Sequence, residues 1–114
     1  GIEELGSLSL NSDNPVALTS DCAVFAETEI ISRISEGRPR EDIVAGVHKM
    51  LADRVKDLVD RVSLAMDCVL IGGGAKDVGL VKKLSESIGC EVRVTEKPQF
   101  ESAIGAVMYC RCGA

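Results

Sequence analysis

Three consecutive glycines, Gly72–Gly74, are the part of this sequence best suited to bind a ligand. They follow the apolar run Cys68–Ile71, which predicts a short strand covered on both faces, and precede a helix predicted from about Asp77. Glycine permits positive φ angles and lets a ligand approach the main chain, and the helix directs unpaired N–H groups at the turn. A strand, a glycine turn and a helix in succession are a common way to hold a nucleotide, which makes this turn, with Ala75 and Lys76, a candidate ligand site. The same arrangement can merely connect a strand to a helix, and it matches neither G-x-G-x-x-G nor a phosphate loop.

Cys22, Glu27, Glu29 and Lys76 carry side chains that could take part in chemistry, and each also has a purely structural explanation. Cys22 precedes a predicted helix, whose N-terminus favours the thiolate that iron binds; the alternative is a buried thiol. Glu27 and Glu29 are carboxylates suited to acid–base work, or members of a solvated helix face. Lys76 is placed to approach a phosphate, or is a surface lysine.

His48 is the only histidine in the sequence. The sequence offers it no second histidine and no clear Ser or Cys partner, which argues against a catalytic triad. We therefore predict that His48 lies at a helix surface.

Composition indicates one globular domain of 114 residues, 46% hydrophobic and 27% charged. The net charge of -5 argues against nucleic acid and anionic membrane as partners. We expect a soluble, cytoplasmic protein, since there is no signal-peptide pattern and no run of 18 apolar residues. Five irregularly spaced cysteines do not suggest a disulfide framework. The first residue is Gly rather than Met, which suggests a piece of a longer chain.

The predicted order of elements is α, α, β, α, β, α. Side chains of residues 19–21 are predicted to cap the first helix. The small residues Ala103, Gly105 and Ala106 are predicted to allow close packing of the last helix. A strand, a helix and a second strand in succession imply parallel pairing. The fold class is therefore α/β, a small mainly parallel sheet flanked by helices, and so small a sheet suggests half of a larger unit or a dimer. The helices are predicted over 22–36, 41–64, 77–88 and 100–109, the strands over 68–71 and 91–94, and residues 1–21 as turn-rich, with a short strand at Val16–Leu18.

The succession of motifs resembles the C-terminal half of the actin, sugar-kinase and heat-shock-chaperone ATPase superfamily, which has a ribonuclease-H-like fold. The pieces are the strand that ends in Gly-Gly-x-Ala, the helix Val78–Ile88, the Val-x-Val strand Val92–Val94, Pro98, and the Ala-x-Gly-Ala run Ala103–Ala106. In that superfamily the glycine turn lies against the nucleoside and the α-phosphate. The resemblance implies that Gly72–Gly74 contact adenosine, and that Gln99 and Phe100, which open the last helix, line the adenine pocket; Phe100 also suits a core.

A narrower resemblance starts at Cys22, in the segment Cys-Ala-Val-Phe-Ala-Glu-Thr-Glu. It is similar to the Cys-x-Val-Phe-Ala-Glu-Ser-Glu segment of the ATP-dependent activators of 2-hydroxyacyl-CoA dehydratases and the ATP-binding subunits of benzoyl-CoA reductase. The run Asp42–His48, the glycine turn and the segment Pro98–Ala106 follow at that family's spacings, so the resemblance covers nearly the whole chain. The family resemblance implies that the helix carrying Glu27 and Glu29 borders the nucleotide or a dimer interface.

This family resemblance also implies cofactors and partners. Family members bind ATP or ADP with Mg²⁺, form homodimers, and hold one [4Fe–4S] cluster between subunits, each of which gives two cysteines. ATP hydrolysis drives a low-potential electron into a dehydratase or reductase partner. Cys22 matches the second ligand cysteine.

The family's other ligand cysteine, in a Cys-Ala-Ala-Gly-Thr-Gly-like segment, would lie before Gly1, as would the two N-terminal phosphate motifs. The sequence therefore predicts a single domain over residues 1–114, the C-terminal half of an actin-like ATPase without its phosphate-binding half. Such a chain is expected to be inactive alone. The alternative is a stand-alone, non-enzymatic dimerisation or regulatory module of the same fold; a sugar or acetate kinase fragment would share the glycine turn but not the segment at Cys22.

Overall fold

A computed structural model describes residues 1–19, 22–64 and 67–113. Five α-helices and two strands are described, with 3-10 turns at Ile2–Glu4 and Gly73–Lys76. Among the described residues, no helix combines the length and the apolar composition that crossing a membrane requires. The elements in chain order are α1 (Leu5–Ser9), α2 (Ala23–Ser35), α3 (Arg40–Val59), β1 (Cys68–Leu70), α4 (Val78–Ile88), β2 (Val92–Val94) and α5 (Glu101–Arg111).

The N-terminal segment differs from its prediction. Instead of turns alone, it forms the 3-10 turn and α1, in which Gly6 and Ser9 are buried. The chain at Val16–Leu18 is not a strand; the N–H of Val16 instead donates to the carbonyl oxygen of Asp42 at 3.0 Å. A five-residue helix has little stability of its own, so the packing of α1 on α3 and α4 accounts for it.

Local sequence explains the ends of α2 and α3. Gly37, at φ +73°, follows α2, and Pro39 is the N-cap of α3. The predicted capping residues Ser20 and Asp21 lie outside the described residues, and Cys22 is the N-cap of α2. The regular part of α3 ends at Val59, a few residues before the predicted end, and turns follow to Val62.

The two strands pair in parallel, as predicted, with Cys68 opposite Val92 and Leu70 opposite Val94. Between them α4 runs from its N-cap Asp77 to Gly89, which is left-handed at φ +82°. The hydrophobic core lies between α3, α4 and one face of the sheet. Its members are Ala52, Leu84 and Val92, with the partly buried Cys68, Leu70, Leu80 and Ile88 packed against them.

The other face of β1 is not covered within the described residues, contrary to the prediction of a strand buried on both faces. Val69 is 51% and Ile71 47% exposed. The predicted close packing of α5 is also absent in the described part of the chain, since α5 buries no residue there and a methyl group on Gly105 would meet open space. Contiguous exposed apolar surface is typical of faces that contact another domain or chain. Large apolar side chains are exposed on both α2 and α5, namely Val24, Phe25, Ile31, Ile34, Ile104, Val107, Met108 and Tyr109.

Candidate nucleotide site

The glycine turn begins with a backbone conformation that essentially only glycine adopts. Gly72 has φ +94° and ψ −176°. Its N–H donates to the carbonyl oxygen of Pro98 at 2.7 Å, and its own carbonyl oxygen accepts from the N–H of Ala75 at 3.3 Å. The turn is therefore held between the end of β1 and the segment that follows β2.

The surface of this turn is open. Gly73 and Gly74 are exposed, while the side chain of Ala75 is buried and anchors the turn. A methyl group on Gly73 would lie 3.5 Å from Nε2 of Gln99, an ordinary van der Waals distance. The structure thus brings together Gln99 and the predicted residues Gly72–Lys76, with Lys76 exposed at their end.

Phe100, by contrast, does not join a core in the described structure. It is 62% exposed, so the apolar surface of its ring remains accessible next to Gln99. The alternative of a core position for Phe100 is wrong for the described residues.

The helix after the turn starts at a side-chain cap. Oδ1 of Asp77 accepts the N–H of Leu80 at 2.9 Å, which satisfies one of the N–H groups that a helix start leaves unpaired. The N–H of Asp77 donates to the carbonyl oxygen of Gly74 at 3.1 Å. Asp77 therefore fixes both the start of α4 and the end of the glycine turn.

The prediction of a surface position for His48 is wrong. Its side chain is 5% exposed, with Nδ1 2.9 Å from Oγ of Ser9 and Nε2 3.2 Å from Oδ2 of Asp77. The reason is that α1 and α4 both cover this part of α3. The apolar pattern of α3 did contain a signal, because His48 lies four residues after Val44 and hence on the apolar face of the helix.

Sequence reasoning also missed Thr95, which directly follows β2. Its Oγ1 is buried and has no hydrogen-bond partner among the described residues. The carboxyl ends of parallel strands lie at the same sheet edge, where open α/β sheets bind ligands. Thr95 and the glycine turn therefore share that edge, and their common place after parallel strands is the signal that would have found Thr95.

Cys22, Glu27 and Glu29 lie on another element. Cys22 is exposed at the N-cap of α2, and Glu27 is exposed. The carboxylate of Glu29 accepts from the N–H and Oγ1 of Thr19, at 3.0 and 3.1 Å, so it holds the segment before α2. The helix α2 packs on α3, whereas the glycine turn packs on α4. A role of Glu27 and Glu29 at the nucleotide stays a prediction.

Metal binding depends on the donor groups that the structure brings together. Within residues 1–19, 22–64 and 67–113, no group of three or more His, Cys, Asp or Glu side chains is arranged to hold a metal ion. The exposure of Cys22 suits one ligand of a cluster shared with another chain, but the described residues do not provide a full set of four thiolates.

A cavity of about 70 Å³ borders the His48 contact, lined among others by Ser9, Ser12, Lys82 and Lys83. Ligand pockets usually measure about 300 to 1,000 Å³, so this cavity is too small for a nucleotide. The candidate site at the glycine turn is an open surface rather than an enclosed pocket.

Comparisons with known proteins assign the family. The model of the BadF/BadG/BcrA/BcrD ATPase family matches residues 1–110. This chain belongs to the BadF/BadG/BcrA/BcrD ATPase family. The family resemblance read from the sequence is thereby confirmed.

Individual relatives agree with this assignment. The 2-hydroxyisocaproyl-CoA dehydratase activator of Clostridioides difficile is 44% identical over 95% of this chain and 41% of its own length. The (R)-2-hydroxyglutaryl-CoA dehydratase activating ATPase of Acidaminococcus fermentans is 39% identical over 95% of this chain and 42% of its own length. One of the benzoyl-CoA reductase subunits of Thauera aromatica is 44% identical over 75% of this chain and 31% of its own length. The chain thus spans about two fifths, or less, of these relatives.

The fold comparison gives the same result. The solved structure of the activator of the 2-hydroxyisocaproyl-CoA dehydratase from Clostridium difficile with bound ADPNP superposes with a TM-score of 0.91 and 44% identity, over 96% of this chain and 41% of that chain. The predicted fold class, half of an actin-like ATPase with a small parallel sheet, is confirmed.

Proposed function

We propose that this chain is the adenosine-binding portion of an ATPase that activates a 2-hydroxyacyl-CoA dehydratase or benzoyl-CoA reductase. The observation that carries the proposal is the exposed turn at Gly73 and Gly74, fixed at both ends and flanked by Gln99. The names of the relatives, which include activators and an activating ATPase, favour this function over the alternative of a non-enzymatic regulatory module. The ADPNP bound by a 44% identical relative supports nucleotide as the ligand.

Different residues of this chain would contact different parts of the nucleotide. The backbone of Gly73 and Gly74 lets the adenosine and α-phosphate approach closely, because no Cβ stands in the way. The side-chain amide of Gln99 offers both a donor and an acceptor to a base. Lys76 supplies a positive charge for a phosphate. When bound, ATP with Mg²⁺ supplies the hydrolysable phosphoanhydride.

We further propose that the chain is the C-terminal half of its fold and that a second, phosphate-binding half completes the site. Ligand sites usually bury most of a small ligand, whereas the described glycine turn is open on its outer side. The second half would hold Mg²⁺ and the water for hydrolysis. On this proposal ATP hydrolysis requires both halves.

The same proposal assigns Cys22 to a [4Fe–4S] cluster at the axis of a homodimer. Its support is the exposed position of Cys22 at the start of α2 and the exposed apolar side chains Val24 and Phe25 beside it. The remaining ligands would come from the second subunit and from outside the described residues. The cluster would pass a low-potential electron to the dehydratase or reductase partner.

Nucleotide binding is tested by isothermal titration calorimetry with ADP. Gly73→Val should abolish binding without unfolding the chain, since the nearest atom to a Cβ at Gly73 is the flexible end of Gln99. Gly105→Val is the matched control, because it places the same side chain at an open position of α5. Equal ADP affinity in wild type and Gly73→Val would contradict the assignment of the turn.

The role of Cys22 is tested by anaerobic iron–sulfur reconstitution, with visible absorption, iron content and native mass as the readouts. We expect Cys22→Ser to lose any cluster that the wild-type chain assembles, and Cys112→Ser, a change of an exposed thiol at the end of α5, to keep it. A cluster of unchanged iron content in Cys22→Ser would exclude Cys22 as a ligand. A wild-type chain that stays colourless would limit this chain to the nucleotide part of the site.

A further inference from the structure

The buried contact between Ser9, His48 and Asp77 joins three separate helices. Ser9 ends α1, His48 lies within α3, and Asp77 caps α4. Ser9 and His48 are 9% and 5% exposed. Buried polar groups are costly unless they are hydrogen-bonded, and here each ring nitrogen of His48 has one partner.

Every polar group of Asp77 next to this contact is in use. Its Oδ1 accepts from Leu80 N–H at 2.9 Å, its Oδ2 lies 3.2 Å from Nε2 of His48, and its N–H donates to Gly74 O at 3.1 Å. Asp77 therefore connects the two: its backbone N–H is hydrogen-bonded to the end of the glycine turn, and its side chain contacts His48. A shift of the imidazole ring must move Asp77 or break its contact.

Toward α1 and the start of α4 the neighbouring atoms leave little room for such a shift, whereas a cavity of about 70 Å³ also borders the contact. A Cβ on Gly79 would overlap Oγ of Ser9 and lie 2.6 Å from Gly6 O and 2.9 Å from Nδ1 of His48. A Cβ on Gly6 would lie 2.7 Å from Oδ1 of Asp77. Close-packed contacts transmit displacement, so a shift of the ring toward α1 or α4 would displace those helices as well.

Each ring nitrogen of His48 has its own partner, on opposite sides of the ring. The hydroxyl of Ser9 donates to the carbonyl oxygen of Gly6 at 2.9 Å, and a hydroxyl has a single proton. Nδ1 of His48 lies 2.9 Å from the same Ser9 hydroxyl, and Nε2 lies 3.2 Å from Oδ2 of Asp77, so the two contacts leave the ring in opposite directions. A glutamine at position 48 carries its amide nitrogen and oxygen on one carbon, so it cannot reproduce both contacts of the two separated ring nitrogens.

We propose that His48 is a positioning residue for the glycine turn, which it holds through Asp77 and couples to α1 through Ser9. As far as it concerns nucleotide affinity, the inference rests on the proposed function. Binding at the turn would then change the surroundings of His48 and Ser9, although neither touches the ligand.

The test compares the full chain with His48→Gln and with Lys49→Gln, a change of the next, exposed residue of α3. Without nucleotide, we expect His48→Gln to shift the ¹H–¹⁵N amide resonances of Gly72–Gly74, and Lys49→Gln to leave them in place. In calorimetry with ADP, we expect about tenfold weaker binding for His48→Gln, within the usual range of coupling between sites, and unchanged binding for Lys49→Gln. Thermal unfolding of each variant measures the purely structural effect.

Asp77→Asn provides a second variant in case His48→Gln does not fold. Its amide oxygen still accepts from Leu80, but an NH₂ group replaces the carboxylate oxygen beside Nε2 of His48, so it should reproduce the glycine shifts and the weaker ADP binding. The proposal is overturned if either folded variant keeps the wild-type glycine resonances and ADP affinity, whatever its loss of stability. Failure of the wild-type chain to bind ADP would contradict the proposed function. It would not decide the role of His48, which the glycine resonances measured without nucleotide test separately.

Discussion

Gly79→Ala is expected to destabilise this chain strongly, although alanine is the better helix former. Gly79 lies in the first turn of α4 and is buried. The added methyl group would overlap Oγ of Ser9 and would lie 2.6 Å from the backbone carbonyl oxygen of Gly6. The side chain of Ser9 can rotate away, but the carbonyl group can move only if α1 separates from α4.

The magnitude follows from these two neighbours. Rotation of Ser9 breaks its hydrogen bonds to Gly6 and His48, at about 1 kcal/mol each. Displacement of α1 is an overpacking cost of about 1–3 kcal/mol. The gain in helix propensity offsets up to about 1 kcal/mol. We expect a net loss of about 3 kcal/mol in the free energy of unfolding, a large part of the usual 5–15 kcal/mol of a domain.

Urea unfolding followed by far-UV circular dichroism is the suitable assay, since the chain has no Trp and one Tyr. Gly105→Ala is the matched control, because a methyl group there meets no atom within 4 Å. We expect that control to gain up to about 1 kcal/mol. Opposite signs for the same substitution in two helices would show that the contact with α1, rather than propensity, decides the outcome.

The refuting result is a Gly79→Ala chain at least as stable as wild type. A double variant adds a check on the mechanism. Ser9→Ala removes the same two hydrogen bonds, so Gly79→Ala combined with Ser9→Ala should lose less stability than the two single changes together. Strict additivity would mean that Ser9 is not displaced by the new methyl group.

Three other predictions concern the core, the turn and an ion pair. Leu84→Ala should lower the free energy of unfolding by about 2–5 kcal/mol, since Leu84 is 2% exposed. The control Leu58→Ala, at a 55% exposed site, should change it by no more than about 0.5 kcal/mol. Equal losses of the two variants in urea unfolding would contradict this placement of the core. Gly72→Ala should cost about 1–3 kcal/mol because of its φ of +94°, and wild-type stability in that assay would show that the turn relaxes freely. The hydrogen bond from Lys49 holds the pKa of Asp53 below its ordinary value of 3.8, with a further contribution from Ser87 of α4. This stabilisation is present above the unfolded pKa and disappears as pH falls through the lowered folded pKa. Asp53→Asn should therefore lower the free energy of unfolding by less than about 1 kcal/mol at neutral pH and leave it unchanged at the acid end of a pH series. A loss of stability that persists at low pH would exclude the ion pair as its cause.

The elements that sequence predicted well are those whose ends depend on local chemistry. Pro39 starts α3, Asp77 caps α4, and Gly89 and Gly37 supply the positive φ that ends α4 and α2. The parallel pairing of β1 and β2 followed from strand, helix and strand in succession. Each of these signals lies within a few residues of the feature that it specifies.

What the sequence did not reveal depends on contacts between distant segments. The helix α1 exists because Gly6 and Ser9 pack against α4, and His48 is buried because Ser9, 39 residues earlier, reaches its ring. Thr95 is notable only once β2 is paired beside β1. Residue types alone indicated a long amphipathic α3, but not which of its polar residues the fold would enclose.

The uncovered face of the sheet lies next to the open ligand site. The uncovered face of β1, with Val69 and Ile71 about half exposed, leads directly into the exposed Gly73 and Gly74. Parallel strands are normally covered on both faces, and a nucleotide site normally encloses most of its ligand. On the proposed function, one additional layer over this edge would satisfy both requirements. The His48 contact joins the end of the turn to α1 and α3 through Asp77, so the chain itself would set the position of the glycines before that layer closes over the nucleotide.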